Sequence, residues 1–261
     1  MEVIVRNTSS DAASLTAAIV AKALSARPNL VLGLATGRTM EAVYNLLAEL
    51  YENEGLDFSL ATAFNLDEYV GLSPDDPRSY RFYMDKYLFS RVNIDVRNTH
   101  LPNGMAEDLE EECRRYEQEI EVRNGIDFQL LGVGKTGHIG FNEPLSAMRS
   151  RTRVKALTPE TIVQNAALVG GPGRMPHRAI TMGVGTILEC KRCVLLATGI
   201  DKADVIARAV EGPITSMISA TALQLHPKCT VIVDEAAASG LEHQDYYRWV
   251  FENEPEWQVY Q

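Results

Sequence analysis

Short, largely apolar runs recur along this 261-residue chain at helix-length intervals, and no other feature constrains the fold as strongly. Residues 3–5, 30–35, 61–65, 128–131, 193–197 and 229–233 are too short for helices. The run at 30–35 has no polar alternation, as expected of a strand covered on both faces. Helical segments lie between the runs. Residues 9–25 form an alanine-rich helix with Ser9, Ser10 or Asp11 as cap, broken at Pro28-Asn29. Val43, Leu46, Leu47 and Leu50 then repeat at i, i+3, i+4, i+7. Ser79 caps a helix to about residue 90, and His100-Leu101 is a short extended piece. Residues 107–124 carry the stripe Leu109, Cys113, Tyr116 and Ile120, end at Gly125, and show solvent an acidic face. Residues 151–155 alternate like an edge strand, 170–173 read as a mobile loop, and 179–182 lead into a glycine-containing turn. The aromatic tail from His243 (Tyr246, Tyr247, Trp249, Val250, Phe251) reads as a helix serving as a flap or an oligomer contact. This alternation predicts an α/β fold, one domain over residues 1–261, with a mostly parallel sheet flanked by helices.

Composition narrows the function. A net charge of −10 argues against a nucleic-acid partner, which needs a basic face. It leaves open an anionic small molecule held by helix N-termini and one or two cations. No apolar run is long enough to span a membrane. The start, Met1-Glu-Val-Ile-Val-Arg6, lacks a signal peptide's basic head and long apolar core, so a cytoplasmic location is expected. Of the four cysteines, Cys190 and Cys193 have half of a zinc-site spacing, while Cys113 and Cys229 stand alone. All four are read as thiols, with no metal and no disulfide.

The chemistry concentrates in Gly132-Val-Gly-Lys-Thr-Gly-His-Ile-Gly-Phe-Asn-Glu-Pro144, directly after the run at 128–131. Glycine at this density lets backbone approach a ligand. His138 with Glu143 five residues on can serve as a proton-transfer pair. One familiar motif is excluded: a P-loop would require glycine where Gln129 stands, and glycines at 132, 134 and 137 after a strand are a weak signal by themselves. His, Asn and Glu in one loop have no obvious packing role. Thr36-Gly-Arg-Thr39 lies between a strand and a helix, where free N–H groups point at an anion. Asp67 and Glu68, adjacent carboxylates unusual for a turn, lie just past a strand end, where ligands bind in parallel α/β sheets. Lys202, in the first turn of a helix reaching about residue 210, opposes the helix dipole unless it meets an anion.

The segments 32–39, 64–72, 137–144, 150–153, 181–186 and 223–228, including Asn-Leu-Asp-Glu-Tyr and Gly-His-Ile-Gly-Phe-Asn-Glu-Pro, occur in an order that resembles the glucosamine-6-phosphate deaminases, also called isomerases. The resemblance implies a Rossmann-like fold. It implies conversion of glucosamine 6-phosphate and water to fructose 6-phosphate and ammonia, with neither metal nor organic cofactor. It makes Asp67 the base that moves the C2 proton and His138, assisted by Glu143, the ring-opening group. It places Thr36, Gly37, Arg38, Thr39 and Lys202 around the substrate phosphate. Ser146, Arg153 and Lys155 match an allosteric phosphosugar site of some members, from which Ala147 departs. Two further departures stand out. Thr136 replaces an acid that orients and charges the histidine, and Ala167 replaces a phosphate-binding arginine, with Arg174 or Arg178 as candidate substitutes. The 6-phosphogluconolactonases share the fold but usually lack Phe-Asn-Glu-Pro. A lactone hydrolase and a phosphosugar-sensing module without turnover are the alternative readings.

Overall fold

The computed structural model describes residues 1–166 and 175–261. Seven strands form a parallel sheet: β1 (Glu2–Arg6), β2 (Val31–Leu34), β3 (Thr62–Asn65), β5 (Thr99–His100), β6 (Phe128–Leu131), β9 (Arg192–Ala197) and β10 (Cys229–Asp234). Their order is β1-β10-β9-β6-β2-β3-β5. The apolar runs of the sequence are these strands. Every residue of β2, β6 and β10 is buried, so both faces of the sheet are covered. A second sheet, three-stranded and antiparallel, has the order β4 (Asp67–Tyr69), β8 (Arg178–Thr181), β7 (Arg153–Ala156).

The helices are α1 (Ser9–Ala26), α2 (Arg38–Glu54), α3 (Tyr80–Tyr87), α4 (Leu109–Val122), α5 (Pro159–Ala166), α6 (Val184–Leu188), α7 (Ala203–Val210), α8 (Glu235–Ala238) and α9 (Gln244–Asn253). α1 packs on α2 and across β9 and β10. α4 follows its apolar stripe: buried Tyr116 meets Phe64 of β3 edge-on and donates from its hydroxyl to Asn65 O at 2.7 Å.

Several local expectations change. Thr8, not Ser9, Ser10 or Asp11, caps α1; Asp11 returns the bond as the second half of a capping box. The acidic face of α4 is not wholly solvated, because Glu112 is buried and accepts from Asn103 N at 2.7 Å. Asp67 and Glu68 lie in a strand of their own. They begin β4, whose register sets Asp67 opposite Thr181 and Tyr69 opposite Ala179. The tail helix α9 packs against β1, with Phe251 beneath Arg6, while Tyr246 and Trp249 are exposed. The loop at 170–173, Ala167 and Arg174 lie outside the described residues. Among the described residues no helix is long and apolar enough to cross a membrane.

Candidate active site

From β2 the chain builds outward through β3 to β5, then returns to the other side of β2 as β6. The order reverses between β2 and β6, and a crevice opens there beyond the carboxyl ends of the strands. A cleft of about 580 Å³ occupies it. It is lined by Thr36, Gly37, Arg38 and Thr39 after β2, by Gly134, Lys135 and His138 after β6, by Thr198, Asp201 and Lys202 after β9, and by Asp67.

The loop after β2 ends at Gly37, whose φ of 111° suits glycine alone. Gly37 caps α2 without a side-chain bond, so the first N–H groups of α2 have no side-chain acceptor at the cap. Lys202 enters from the turn before α7, and its Nζ donates to Val133 O at 2.9 Å. That carbonyl belongs to the loop after β6, so the lysine meets an acceptor despite its unfavourable helix position. Burial, the largest influence, and neighbouring Lys135 push the Lys202 ammonium down, while Asp201 opposes them. Arg178 is exposed at the start of β8 and is not among the cleft-lining residues.

In the loop after β6, His138 Nδ1 lies 2.9 Å from Thr136 Oγ1 and 3.2 Å from Glu143 Oε2. The other Glu143 oxygen accepts from the N–H and the hydroxyl of Thr158, each at 3.1 Å. Burial pushes the Glu143 carboxyl up, but the hydrogen bond and charge of His138, with donors from Thr161 and Thr158, outweigh it and lower it to about 2. An ionised Glu143 accepts only, so the shared proton resides on Nδ1, and Nε2 is the ring nitrogen left to exchange a proton with a ligand. Gly134 is what lets the ring lie there: a Cβ at Gly134 would fall 2.1 Å from Nε2.

Alternation along β4 separates its two carboxylates. Asp67 turns to the cleft. Glu68 turns to the start of α3 and accepts from Tyr80 N at 3.0 Å and Arg81 N at 2.9 Å, which pins that helix end. Burial first, then adjacent Glu68, pushes the Asp67 carboxyl well above the usual carboxylate range. Among the described residues it accepts no hydrogen bond.

Asn142 departs from expectation, since it has a packing role. It donates to Ile139 O at 2.9 Å and Met182 O at 2.8 Å, and accepts from Arg153 at 2.9 Å. Arg153 also donates to Ser146 Oγ at 3.0 Å, so two of the candidate allosteric residues touch. Lys155 follows two positions along the same face of β7, with no side-chain hydrogen bond to either. A larger and shallower groove, about 1250 Å³, lies between α4 and β7. In it Arg151 bridges Glu117 and Glu189 at 2.6 Å each, whereas Asp67 and His138 line the smaller cleft.

Sequence reasoning missed Thr158, Asn165 and Tyr80. Thr158 before Pro159 reads as an ordinary helix cap, and its bond to Glu143 is invisible in sequence. Asn165 Nδ2 donates to Tyr69 OH at 2.9 Å, which lies 3.3 Å from Tyr80 OH. Tyr80 lines the cleft and stacks on Phe141 at 5.9 Å.

The fold and the cleft define a doubly wound α/β protein whose ligand site lies at the switch point and carries groups for proton transfer. Residues 6–232 match the family described as glucosamine-6-phosphate isomerases/6-phosphogluconolactonase, and the chain belongs to this family. It is 47% identical over 245 residues to the glucosamine-6-phosphate deaminase of Thermoanaerobacter pseudethanolicus, covering 94% of this chain and 97% of that one. To the deaminase of an Arthrobacter species it is 45% identical over 258 residues, covering 99% of each. A solved structure described as a monomeric glucosamine-6-phosphate deaminase superposes with a TM-score of 0.90 at 44% identity, over 92% of this chain and all (100%) of the other. The 6-phosphogluconolactonase of Trypanosoma cruzi shares the fold alone, with a TM-score of 0.74 at 19% identity over 92% of this chain and 97% of the other.

Proposed function

We propose that this chain is a glucosamine-6-phosphate deaminase, a single catalytic domain over residues 1–261 acting in the cytoplasm on a free phosphosugar. The observation that carries this reading is the convergence of Asp67, His138 with Glu143, the open N-terminus of α2 and Lys202 on one cleft.

The substrate phosphate sits at Thr36–Thr39 and Lys202, where N–H groups and an ammonium meet it. Anchoring that end fixes the far end of the sugar and reduces the entropic part of the barrier. His138 Nε2 takes the anomeric hydroxyl proton and delivers it to the ring oxygen as the C1–O5 bond breaks. Glu143 and Thr136 hold Nδ1 and so fix the tautomer this requires. Asp67 takes the C2 proton and returns it at C1. In a 2-amino sugar that shift turns the C2 amine into an imine, which water hydrolyses to the ketose and ammonia. Burial raises the basicity of Asp67, and a substrate ammonium at C2 favours its ionised form on binding.

The test is ammonia and fructose 6-phosphate release from glucosamine 6-phosphate, run beside galactosamine 6-phosphate and a 6-phosphogluconolactone. Turnover of the lactone alone makes the chain a hydrolase. Tight binding of an amino-sugar phosphate without turnover makes it a sensing module.

A further inference from the structure

Two tyrosine hydroxyls donate to the loop after β2, and the chemistry assigned above uses neither. Tyr44 of α2 is fully buried and donates to Ala35 O. Tyr83 of α3 is half-buried and donates to Gly37 O at 2.8 Å. Neither is among the cleft-lining residues. Their rings meet edge-on with centroids 6.4 Å apart, and the Tyr87 ring lies 4.7 Å from that of Tyr83.

In a planar trans peptide the N–H points opposite to the carbonyl. A donor on Ala35 O therefore turns Thr36 N–H away from Tyr44, and a donor on Gly37 O turns Arg38 N–H away from Tyr83. Thr36 and Arg38 both line the cleft. Arg38 opens α2, so its N–H has no acceptor within the helix. Gly37 is the point at which this arrangement could slip. It holds φ 111° and ψ 166°, and a glycine lets the following peptide turn over at little steric cost. Met40 N–H bonds Gly37 O at 2.9 Å, but that bond belongs to the first turn of a helix, where ends fray. Tyr83 supplies a second donor to the same oxygen, from a different element. The start of α3 is itself pinned by Glu68, the neighbour of Asp67 in β4.

We propose, resting on the phosphate placement given above, that Tyr83 is a positioning residue for the substrate phosphate: its hydroxyl locks the Gly37–Arg38 peptide with the Arg38 N–H toward the anion. The hydroxyl touches no ligand and acts through the peptide. It makes a flip of that peptide cost two hydrogen bonds in place of one. It also polarises the peptide, because a donor on the carbonyl strengthens the N–H as a donor. Through α3 and Glu68 the same bond ties the phosphate loop to the strand that carries Asp67, so the span between anchor and base is held by one short helix. Tyr44 does the same for Thr36 N–H. Its partner carbonyl is buried, however, and loss of that hydroxyl would leave the carbonyl unpaired and cost stability first. Tyr83 is the position at which orientation can be read apart from folding.

The experiment compares wild type, Tyr83→Phe and Tyr87→Phe. Inorganic phosphate is titrated by calorimetry, and kcat and KM are measured on glucosamine 6-phosphate. Tyr83→Phe removes one oxygen from a half-buried ring and leaves Gly37 O its Met40 partner, so the variant folds, as a cooperative melting transition checks. It should weaken phosphate binding about three- to tenfold, the range of one net hydrogen bond. KM should rise by a similar factor with kcat within about twofold, because binding is lost at the end of the sugar remote from the reacting carbons. Tyr87→Phe removes a hydroxyl of the same helix whose partner is Lys86 Nζ at 3.3 Å, and should move neither constant. 4-Aminophenylalanine at position 83 keeps a donor on the ring and should restore both. A lowered melting temperature with unchanged phosphate affinity and KM makes the hydroxyl merely structural and overturns the proposal. A fall in kcat at constant KM, an equal loss in Tyr87→Phe, or a wild type that binds no phosphate also overturns it. The deaminase reading fails separately. A wild type that binds phosphate without amino-sugar turnover defeats that reading and leaves the titration to decide Tyr83, whereas full turnover with Tyr83→Phe unchanged defeats Tyr83 alone.

Discussion

At the scale of single residues, each reacting group has an electrostatic signature that a measurement can read. Burial raises the Asp67 carboxyl in the folded chain above its unfolded range. The native state therefore holds the proton more tightly, and this contribution to stability is full below the unfolded pKa, about 3.9, and lost as pH rises through the folded one. Asp67→Asn, which never ionises, should thus be more stable than wild type at pH 7, with the difference gone below about pH 4. The same variant should still bind a sugar phosphate yet lose exchange of the C2 proton with solvent. Undiminished deuterium incorporation at C2 removes Asp67 as the base. Glu143, lowered to about 2, stays ionised throughout the working range and holds the Nδ1 proton. Thr136 bonds the same nitrogen but supplies no charge. Glu143→Gln should therefore cost roughly 10²-fold or more in kcat, the scale of acid–base assistance. Thr136→Asp should shift the pH–rate profile by placing a second carboxylate beside the ring. A near-wild-type kcat for the first, with an unmoved profile for the second, defeats this account of proton transfer. Lys202→Ala should weaken substrate binding by ~1.5–3 kcal/mol, the scale of a charge-assisted hydrogen bond, and an unchanged KM excludes it from the phosphate site.

Elements explain which of these residues were legible before the structure. The parallel strands were, because a strand buried on both faces must be apolar throughout, as in residues 30–35 and 128–131. The loop at 132–144 was legible because glycines, a histidine and a glutamate crowd it at the end of such a strand. β4 was not. Its three residues include two adjacent carboxylates, which strands disfavour, and it exists through pairing with β8 more than a hundred residues later. That pairing turns Asp67 into the cleft and sends Glu68 to the start of α3. Asn142 misled for the same reason: its partners Met182 and Arg153 are distant in sequence or on another strand. Gly134 illustrates an element acting through absence of a side chain. Its backbone runs under the His138 ring, and Gly134→Ala places a methyl 2.1 Å from Nε2. The ring must then leave its bonds to Thr136 and Glu143. The expected outcome is loss of turnover with phosphosugar binding largely kept, read as a fall in kcat at similar KM. Full activity in Gly134→Ala contradicts the placement of the ring.

On the scale of the whole molecule, the cleft belongs to no single unit. Its parts follow β2, β6 and β9, three adjacent strands at the middle of the sheet, and Asp67 comes from the second sheet. The covering helix α5 is fastened to the same parts, by Thr158 to Glu143, by Gln164 to the Lys135 backbone at 3.3 Å and by Asn165 to Tyr69. A ligand spanning these pieces makes contacts that vanish together when the sheet comes apart, because the unfolded chain brings none of them within reach of one another. Ligand binding should therefore appear as global stability. At a concentration one hundred times Kd, fructose 6-phosphate should add about 2.7 kcal/mol. For a chain of this size that raises the melting temperature by roughly 5–10 °C. Inorganic phosphate, which in the proposed site touches only the α2 N-terminus and Lys202, should give a smaller shift that Lys202→Ala removes. Asp67→Asn should leave the inorganic-phosphate shift intact, since the proposed site sets the carboxylate at the other end of the sugar. A phosphate shift abolished by Asp67→Asn, or a fructose 6-phosphate shift no larger than that of phosphate, would mean that the ligand does not bridge the loops and the second sheet as the cleft arranges them.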